Sequence, residues 1–257
     1  MKRLLALDVG NTSITVGLFR GSRLVARGRI ATPRPGKAGA LARPLRALLR
    51  RLPAGAVDDV IVASVVPHAT AALRRLLLAL LKRRPLIVGR DLRVPVKNRY
   101  RVPSQVGQDR LVNAAAAFHL YGGPAIVVDF GTTVTVDLVS GKGEYLGGAI
   151  APGMEISLEA LVCRAALLPR ISMNPPRELL GRDTRQSMRS GLFYGYGALC
   201  DGLVSGLRRR YAPGATVIAT GGHAALVRPY CRSVQVLRPD LTLQGLRLTY
   251  QKNRKKS

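Results

Sequence analysis

The segment Leu4-Leu5-Ala6-Leu7-Asp8-Val9-Gly10-Asn11-Thr12 is answered 121 positions later by Ala125-Ile126-Val127-Val128-Asp129-Phe130-Gly131-Thr132-Thr133. Each is a short apolar run that ends in Asp-x-Gly-x-Thr and leads into alternating residues that read as a second strand. A repeat on this scale implies two similar α/β domains facing each other. A carboxylate and a Gly/Thr turn on each side suit a nucleotide held in the cleft between them.

Outward from the two turns the pattern continues to repeat. Ser13 to Phe19 alternates, Arg20-Gly21-Ser22 turns, and Leu24 to Ile30 returns. In the second copy Thr133 to Val139 alternates, Ser140-Gly141-Lys142-Gly143 turns, and Glu144 to Ile150 returns. Between the copies the spacing predicts a loop over Pro33 to Gly39 and a helix over Ala40 to Leu52. A strand from Val57 to Val66, a helix from Ala69 to Lys82 and a short strand from Leu86 to Val88 follow. Val94 to Val106, with Pro95 and Pro103, reads as an irregular loop. Asp109 to Tyr121 is an alanine-rich helix stopped by Gly122-Gly123-Pro124. Later come helices over Glu155 to Leu167 and near Arg185 to Arg210. A strand from Thr216 to Ala219 precedes a further helix, and a last helix runs from Leu241 to Tyr250 before a frayed six-residue tail. The expected domains are residues 1–122, carrying the first turn and a linker helix, and 123–257, carrying the second turn.

With 257 residues and 47% hydrophobic content, the chain can bury a substantial core and is not disordered. Its longest apolar run, Leu76 to Leu81, is flanked by arginines and lysine and is far too short to cross a membrane. Asp8 interrupts the apolar start too early for a signal peptide. Cys163, Cys200 and Cys231 are widely spaced and fit neither a zinc pattern nor a disulfide framework, so a reducing cytoplasm is expected. The net charge of +27 implies salt-sensitive, sequence-blind attraction to polyanions. The basic residues are spread along the chain without aromatic interleaving, so nucleic-acid contact is expected only through non-specific charge.

Three constellations carry chemistry. In Asp8-Val9-Gly10-Asn11-Thr12-Ser13, Gly10 lets the backbone approach a phosphate, N–H groups and hydroxyls can donate to it, and Asp8 can hold Mg²⁺. The same residues also make an ordinary hairpin turn, and it is the second copy that tips the balance. No Gly-Lys-Ser/Thr follows either turn, so neither is a P-loop. Thr220-Gly221-Gly222 and Gly147-Gly148 read either as turn punctuation or as bare backbone for a nucleoside. In Gly107-Gln108-Asp109-Arg110, Asp109 either caps the helix or accepts a proton from a substrate hydroxyl, with Arg110 near an anion.

The paired strand–Asp-x-Gly–hairpin units resemble the superfamily of actin, Hsp70 and sugar kinases. Further matches narrow this: Ala63-Ser64-Val65-Val66-Pro67, Tyr100 with Pro103 ahead of Gly107-Gln108-Asp109-Arg110, and Gly147-Gly148-Ala149-Ile150-Ala151-Pro152-Gly153. Gly181-Arg182-Asp183-Thr184 and Ala219-Thr220-Gly221-Gly222 complete them. In this order and spacing the chain resembles the type III pantothenate kinases along almost its whole length. The resemblance implies an α/β fold of two ribonuclease H-like domains with a nucleotide cleft, ATP-dependent phosphorylation of pantothenate, and a cytoplasmic homodimer with no membrane contact.

It also implies residue roles. Asp8, Val9, Gly10, Asn11, Thr12, Ser13, Ile14 and Thr15 form the first ATP phosphate loop, and Thr132 adds a contact from the second. Asp129 binds a monovalent cation, K⁺ or NH₄⁺, while Mg²⁺ or a similar divalent ion accompanies ATP, with Asp8 its candidate ligand. Tyr100, Gly107, Gln108, Asp109, Arg110 and Thr184 bind pantothenate, with Thr184 supplied by the partner chain and Asp109 as the proton acceptor. Two positions depart from the family pattern: Val102 stands where Asn is common, and Thr133 where Ala is common. A non-enzymatic transcriptional accessory factor of the same family, or another small-molecule kinase on the same fold, would share much of this sequence.

Overall fold

The computed structural model describes residues 1–254. The chain forms two compact units, each with its own sheet. Unit 1 comprises residues 1–97, 101–116 and the C-terminal segment from Leu241; unit 2 comprises 98–100 and 117–240. A single cut after residue 122 does not describe this division. The chain leaves unit 1 within a helix, between Ala116 and Ala117, and returns to it at Leu241.

In unit 1, β1 (Arg3–Val9), β2 (Ser13–Arg20) and β3 (Arg23–Ala31) form an antiparallel meander. A 3₁₀ turn at Ala38–Leu41 and helix α1 (Ala42–Arg50) lead to β4 (Asp59–Ser64), which pairs parallel to β1. Helix α2 (Pro67–Leu81) starts with proline in its first turn, where the missing N–H costs nothing. It ends at Lys82, which takes up a left-handed conformation (φ 54°). Strand β5 (Leu86–Ile87) then extends the sheet, giving the order β3-β2-β1-β4-β5.

The stretch read as an irregular loop contains a two-residue strand, β6 (Lys97–Asn98), and a 3₁₀ turn at Pro103–Gln105. Helix α3 (Gln108–Tyr121) follows. Unit 2 repeats the meander with β7 (Ala125–Phe130), β8 (Thr133–Val139) and β9 (Glu144–Pro152). Helix α4 (Met154–Arg164) stops three residues short of the expected Leu167, and α5 (Thr184–Tyr211) is capped by the Asp183 carboxylate, which accepts from Gln186 N–H at 2.8 Å. Then come β10 (Thr216–Thr220), parallel to β7, a four-residue helix α6 (Ala224–Val227) and β11 (Val236–Leu237). The second sheet runs β11-β10-β7-β8-β9-β6. Its core order matches that of the first, and both meanders carry a bulge at equivalent places, Leu18/Phe19 and Leu138/Val139.

Helix α7 (Leu241–Arg254) runs beyond the expected end at Tyr250, and residues 255–257 of the expected tail lie outside the described residues. Its apolar side, with Leu243, Leu246 and Tyr250, packs against Leu4, Ala6, Phe19 and Ile61 on one face of the unit 1 sheet. The other face, with Leu5, Leu7, Val60 and Val62, is covered by Leu41, Leu45, Leu73 and Leu77 from the first two helices and the turn before them. In unit 2, Phe193, Tyr196 and Cys200 of α5 close over Ile126, Val128, Val134 and Val136. Both sheets are thus buried on apolar rows. Some of the positive charge is architectural: Arg208 donates to Ala215 O at 2.7 Å and to Gln235 at 2.9 Å, and Arg3 donates to the Pro53 and Ala54 carbonyls.

Candidate active site

The carboxyl ends of parallel strands are where an open α/β sheet takes its ligand. In unit 1 those are the ends of β1, β4 and β5, and two groups of the expected residues, Asp8 to Thr15 and Gly107 to Arg110, lie there. Asp8 is the penultimate residue of β1 and pairs in register with Thr15 of β2 and Ala63 of β4. The turn after it is closed by Gly10 N–H donating to Ser13 O at 3.0 Å. Val65, just past β4, donates to Val9 O at 3.1 Å and holds the two strand ends together. Ser64 accepts from Val66 N–H at 3.0 Å and from the Thr70 hydroxyl at 2.6 Å, which shapes the entry into α2.

The start of α3 is brought to the same edge. A Cβ added to Gly107 would lie 3.6 Å from Val65 Cγ1 and would fall on the Asp109 carboxylate. Only glycine lets Asp109 fold back in this way. The Asp109 carboxylate accepts from Arg110 N–H at 2.9 Å, and Gly107, not Asp109, takes the first carbonyl-accepting position of the helix. Gln108 packs on Gly89 just beyond β5, and Arg110 is buried. So Asp8 to Thr15 and Gly107 to Arg110 share one end of one sheet.

Two residues that sequence reading passed over complete the first turn. Thr32, just past β3, donates its N–H to Thr12 O at 3.0 Å and its hydroxyl to Gly10 O at 2.7 Å. Arg29 of β3 donates Nε–H to the Ser13 hydroxyl at 2.7 Å. Both come from a strand whose register, and not whose motif, puts them there.

Tyr100, Asp129, Thr132 and Thr184 belong to unit 2. Asp129 is the penultimate residue of β7 and pairs in register with Thr220 of β10. Gly221 (φ 97°) turns so closely against it that a side chain there would fall on the Asp129 carboxylate. Thr132 O accepts from Gly153 N–H at 3.1 Å, and Phe130 O from His223 N–H at 3.0 Å. The result is a carboxylate in a cradle of backbone, with oxygen donors of the hard type that alkali cations and other hard cations take. Tyr100 follows β6, where Arg99 N–H donates to Tyr145 O at 2.8 Å and the Arg99 guanidinium meets Glu144 at 2.7 Å. Its ring lies over Gly147 and 6.3 Å from the ring of Tyr145. Val102 is exposed at the mouth of the 3₁₀ turn, and Thr133 is exposed as well.

Tyr145 in turn donates to Asp137 at 2.9 Å, which also accepts from Thr135 at 3.0 Å. Asp137 is fully buried and was missed from sequence, although Thr133, Thr135 and Asp137 alternate on one face of an otherwise apolar strand. A buried carboxylate with two hydroxyl donors fixes the Tyr145 ring, and Tyr145 borders Tyr100. Thr184 is exposed at the start of α5. Among the described residues, no helix is long and apolar enough to cross a membrane.

Two meander-plus-parallel-strand units with an Asp turn at each first strand define the fold of the actin, Hsp70 and sugar kinase superfamily. Solved structures agree. A ROK family glucokinase from Streptomyces griseus, in complex with glucose and AMPPNP, aligns over 97% of this chain and 99% of its own at TM-score 0.56 and 13% identity. An inorganic polyphosphate/ATP-glucomannokinase from Arthrobacter sp. strain KM aligns over 98% of this chain and 100% of its own at 0.54 and 17%. The sequence is more specific. The profile of the type III pantothenate kinases matches residues 4–206. Type III pantothenate kinases from Moorella thermoacetica and Geobacter sulfurreducens are each 42% identical, covering 97% and 98% of this chain and 99% of their own lengths. The chain belongs to the type III pantothenate kinase family.

Proposed function

We propose that this chain transfers the γ-phosphoryl group of ATP to the primary hydroxyl of pantothenate, giving 4′-phosphopantothenate at the first step of coenzyme A synthesis. One observation carries the assignment of roles: Asp109 stands at the sheet edge that also bears Asp8 and its turn. Phosphoryl transfer depends on alignment and charge compensation more than on covalent chemistry, so a phosphate cradle beside a positioned carboxylate is what it needs. The N–H groups and hydroxyls from Val9 to Thr15 hold the phosphates. As the substrate oxygen bonds to phosphorus and the bond to ADP breaks, the hydroxyl proton passes to the Asp109 carboxylate. Arg110 and Gln108 orient pantothenate from the same turn, and Tyr100 and Thr184 are its further contacts.

Asp8 fits a divalent ion such as Mg²⁺, which is held through one or two carboxylates and the nucleotide's own phosphates, and which neutralises charge on them. Asp129, cradled by Gly221 and the nearby carbonyls, fits K⁺ or NH₄⁺, and Thr132 adds a contact to ATP. A homodimer is part of the same proposal: a few residues before Thr184 in the chain, Leu179 and Leu180 are 64% and 68% exposed and suited to a partner surface. So is a cytoplasmic setting.

The test is ATP-dependent phosphorylation of pantothenate, followed by product formation with K⁺, NH₄⁺ or Na⁺ as the sole monovalent cation. Product that depends on K⁺ or NH₄⁺ is expected. No product with any cation would leave the chain a binding protein of this family, and product from another alcohol alone would overturn the substrate.

A further inference from the structure

The first phosphate turn lacks the lysine that a P-loop directs at its phosphates. Register supplies a cation in its place. Asp8 pairs with Thr15 across β1 and β2, and Thr15 pairs with Arg29 across β2 and β3. Directly opposed residues of antiparallel strands point to the same face with Cβ atoms about 5 Å apart, so carboxylate, hydroxyl and guanidinium form one row. The row lies at the open end of the sheet: Asp8 and Thr15 are half-buried and Arg29 is exposed. Arg29 spends only Nε–H on the protein, donating it to Ser13 Oγ at 2.7 Å, and makes no other hydrogen bond or ion pair among the described residues. Its two terminal amino groups remain for a ligand, held in place by a residue of the phosphate loop itself.

The second copy shows what the row looks like without this task. There Asp129 pairs with Thr135, and Thr135 with Ile150. The carboxylate and the threonine are kept; the arginine is replaced by an isoleucine that is 62% exposed. A sheet that merely needed a third-strand residue at this register tolerates an apolar one.

We propose that Arg29 is the phosphate-binding cation of the first turn, donating to the terminal phosphates of ATP while its Nε–H fixes the Ser13 hydroxyl toward the same group. This rests on the kinase reading above. A planar guanidinium that keeps two amino groups free matches phosphate oxygens better than an ammonium point charge does.

The experiment compares wild type, Arg29→Gln and Arg29→Lys by steady-state kinetics with pantothenate and by calorimetric binding of ATP and of AMP. Arg29→Gln is expected to lower kcat/KM for ATP and weaken ATP binding by about 10- to 100-fold, the loss of a charge-assisted hydrogen-bonding pair. Arg29→Lys should recover part of it. AMP, which has no terminal phosphates, should bind all three proteins alike. Losses for ATP below about twofold, or an equal loss for AMP, would overturn the proposal, since a misshapen loop costs both nucleotides. Should Arg29→Gln fail to fold, Arg29→Lys carries the same ATP-against-AMP comparison. The kinase reading fails separately, through a wild-type protein that makes no phosphopantothenate; the binding contrast would still decide the role of Arg29.

Discussion

The two hairpins follow one plan of strand pairing, and their turns differ. Thr32 N–H closes the first turn on Thr12 O at 3.0 Å, and Gly153 N–H closes the second on Thr132 O at 3.1 Å. Gly10 donates to Ser13 O, and Gly131 to Thr133 O, both at 3.0 Å. The second turn is therefore one residue tighter than the first. Around the first, side chains do the clamping: the Thr32 hydroxyl and the Arg29 guanidinium. Around the second, bare backbone presses in at Gly153 and Gly221, leaving a carboxylate among carbonyl oxygens. One skeleton thus yields a roomy, hydroxyl-rich, cationic turn suited to polyphosphate and a tight, oxygen-lined one suited to a small cation. The repeat fixes the position of each aspartate; the neighbours fix its chemistry.

If the turns only hold nucleotide and ions, the proton acceptor must be elsewhere, and removing it should leave both turns working. Asp109→Asn is expected to bind ATP like wild type and to lose at least about 10²-fold in kcat, the lower end for a lost general base. Near-normal turnover in that variant would return the chemistry to one of the two turns.

The turns themselves should then separate. Asp8→Asn is expected to lower kcat/KM for ATP by about 10- to 100-fold at saturating K⁺, through lost contact to the divalent ion and the phosphates. Asp129→Asn is expected to shift the K⁺ concentration for half-activation upward by about 10-fold, with a smaller effect on ATP once K⁺ saturates. A K⁺ titration of both variants measures this. Identical K⁺ curves for the two would mean that the aspartates are interchangeable and that the contrast between the turns has no functional content.

Much of this was legible in the sequence because it is local. An apolar run, an Asp-x-Gly turn and an alternating strand depend on neighbours in the chain, so both hairpins were read correctly. Asp109 reads as a helix start from the alanine-rich spacing after it and the Gly122-Gly123-Pro124 stop beyond that. What stayed hidden depends on pairing between distant segments. The strand at Lys97–Asn98 is too short to show a period and exists because β9 offers an edge and Glu144 meets Arg99. Arg29 and Thr32 look like any residues of a basic strand until register sets them against Ser13 and Gly10. Asp137 reads as an interruption of an apolar strand until Tyr145 and Thr135 are seen to satisfy it. The division of the chain was hidden for the same reason, since no local signal says that the final helix rejoins the first unit.

That helix gives the smallest effect and a way to perturb one unit without the other. Tyr250 donates its hydroxyl to Asp59 at the start of β4, and Arg254 meets the same carboxylate at 2.8 Å. Burial first, and the bond to Asp59 second, push the Tyr250 phenol up from 10.0 to about 12. The neutral phenol is thus favoured in the fold. Its contribution is complete below the unfolded value near 10.0 and is lost as the pH climbs toward about 12. Tyr250→Phe removes the hydroxyl while Arg254 keeps Asp59 paired, so a loss of about 0.5–1.5 kcal/mol is expected at neutral pH. Amide exchange should quicken in β1 and β4 and stay unchanged in β7 and β10, because α7 packs on the first sheet. Denaturant unfolding at neutral pH and again between the two pKa values should show the gap between wild type and variant narrowing, since only the wild type has a phenol to ionise. Faster exchange spread equally over both sheets would mean that the two units open as one body, and that their independence ends at the chemistry of their turns.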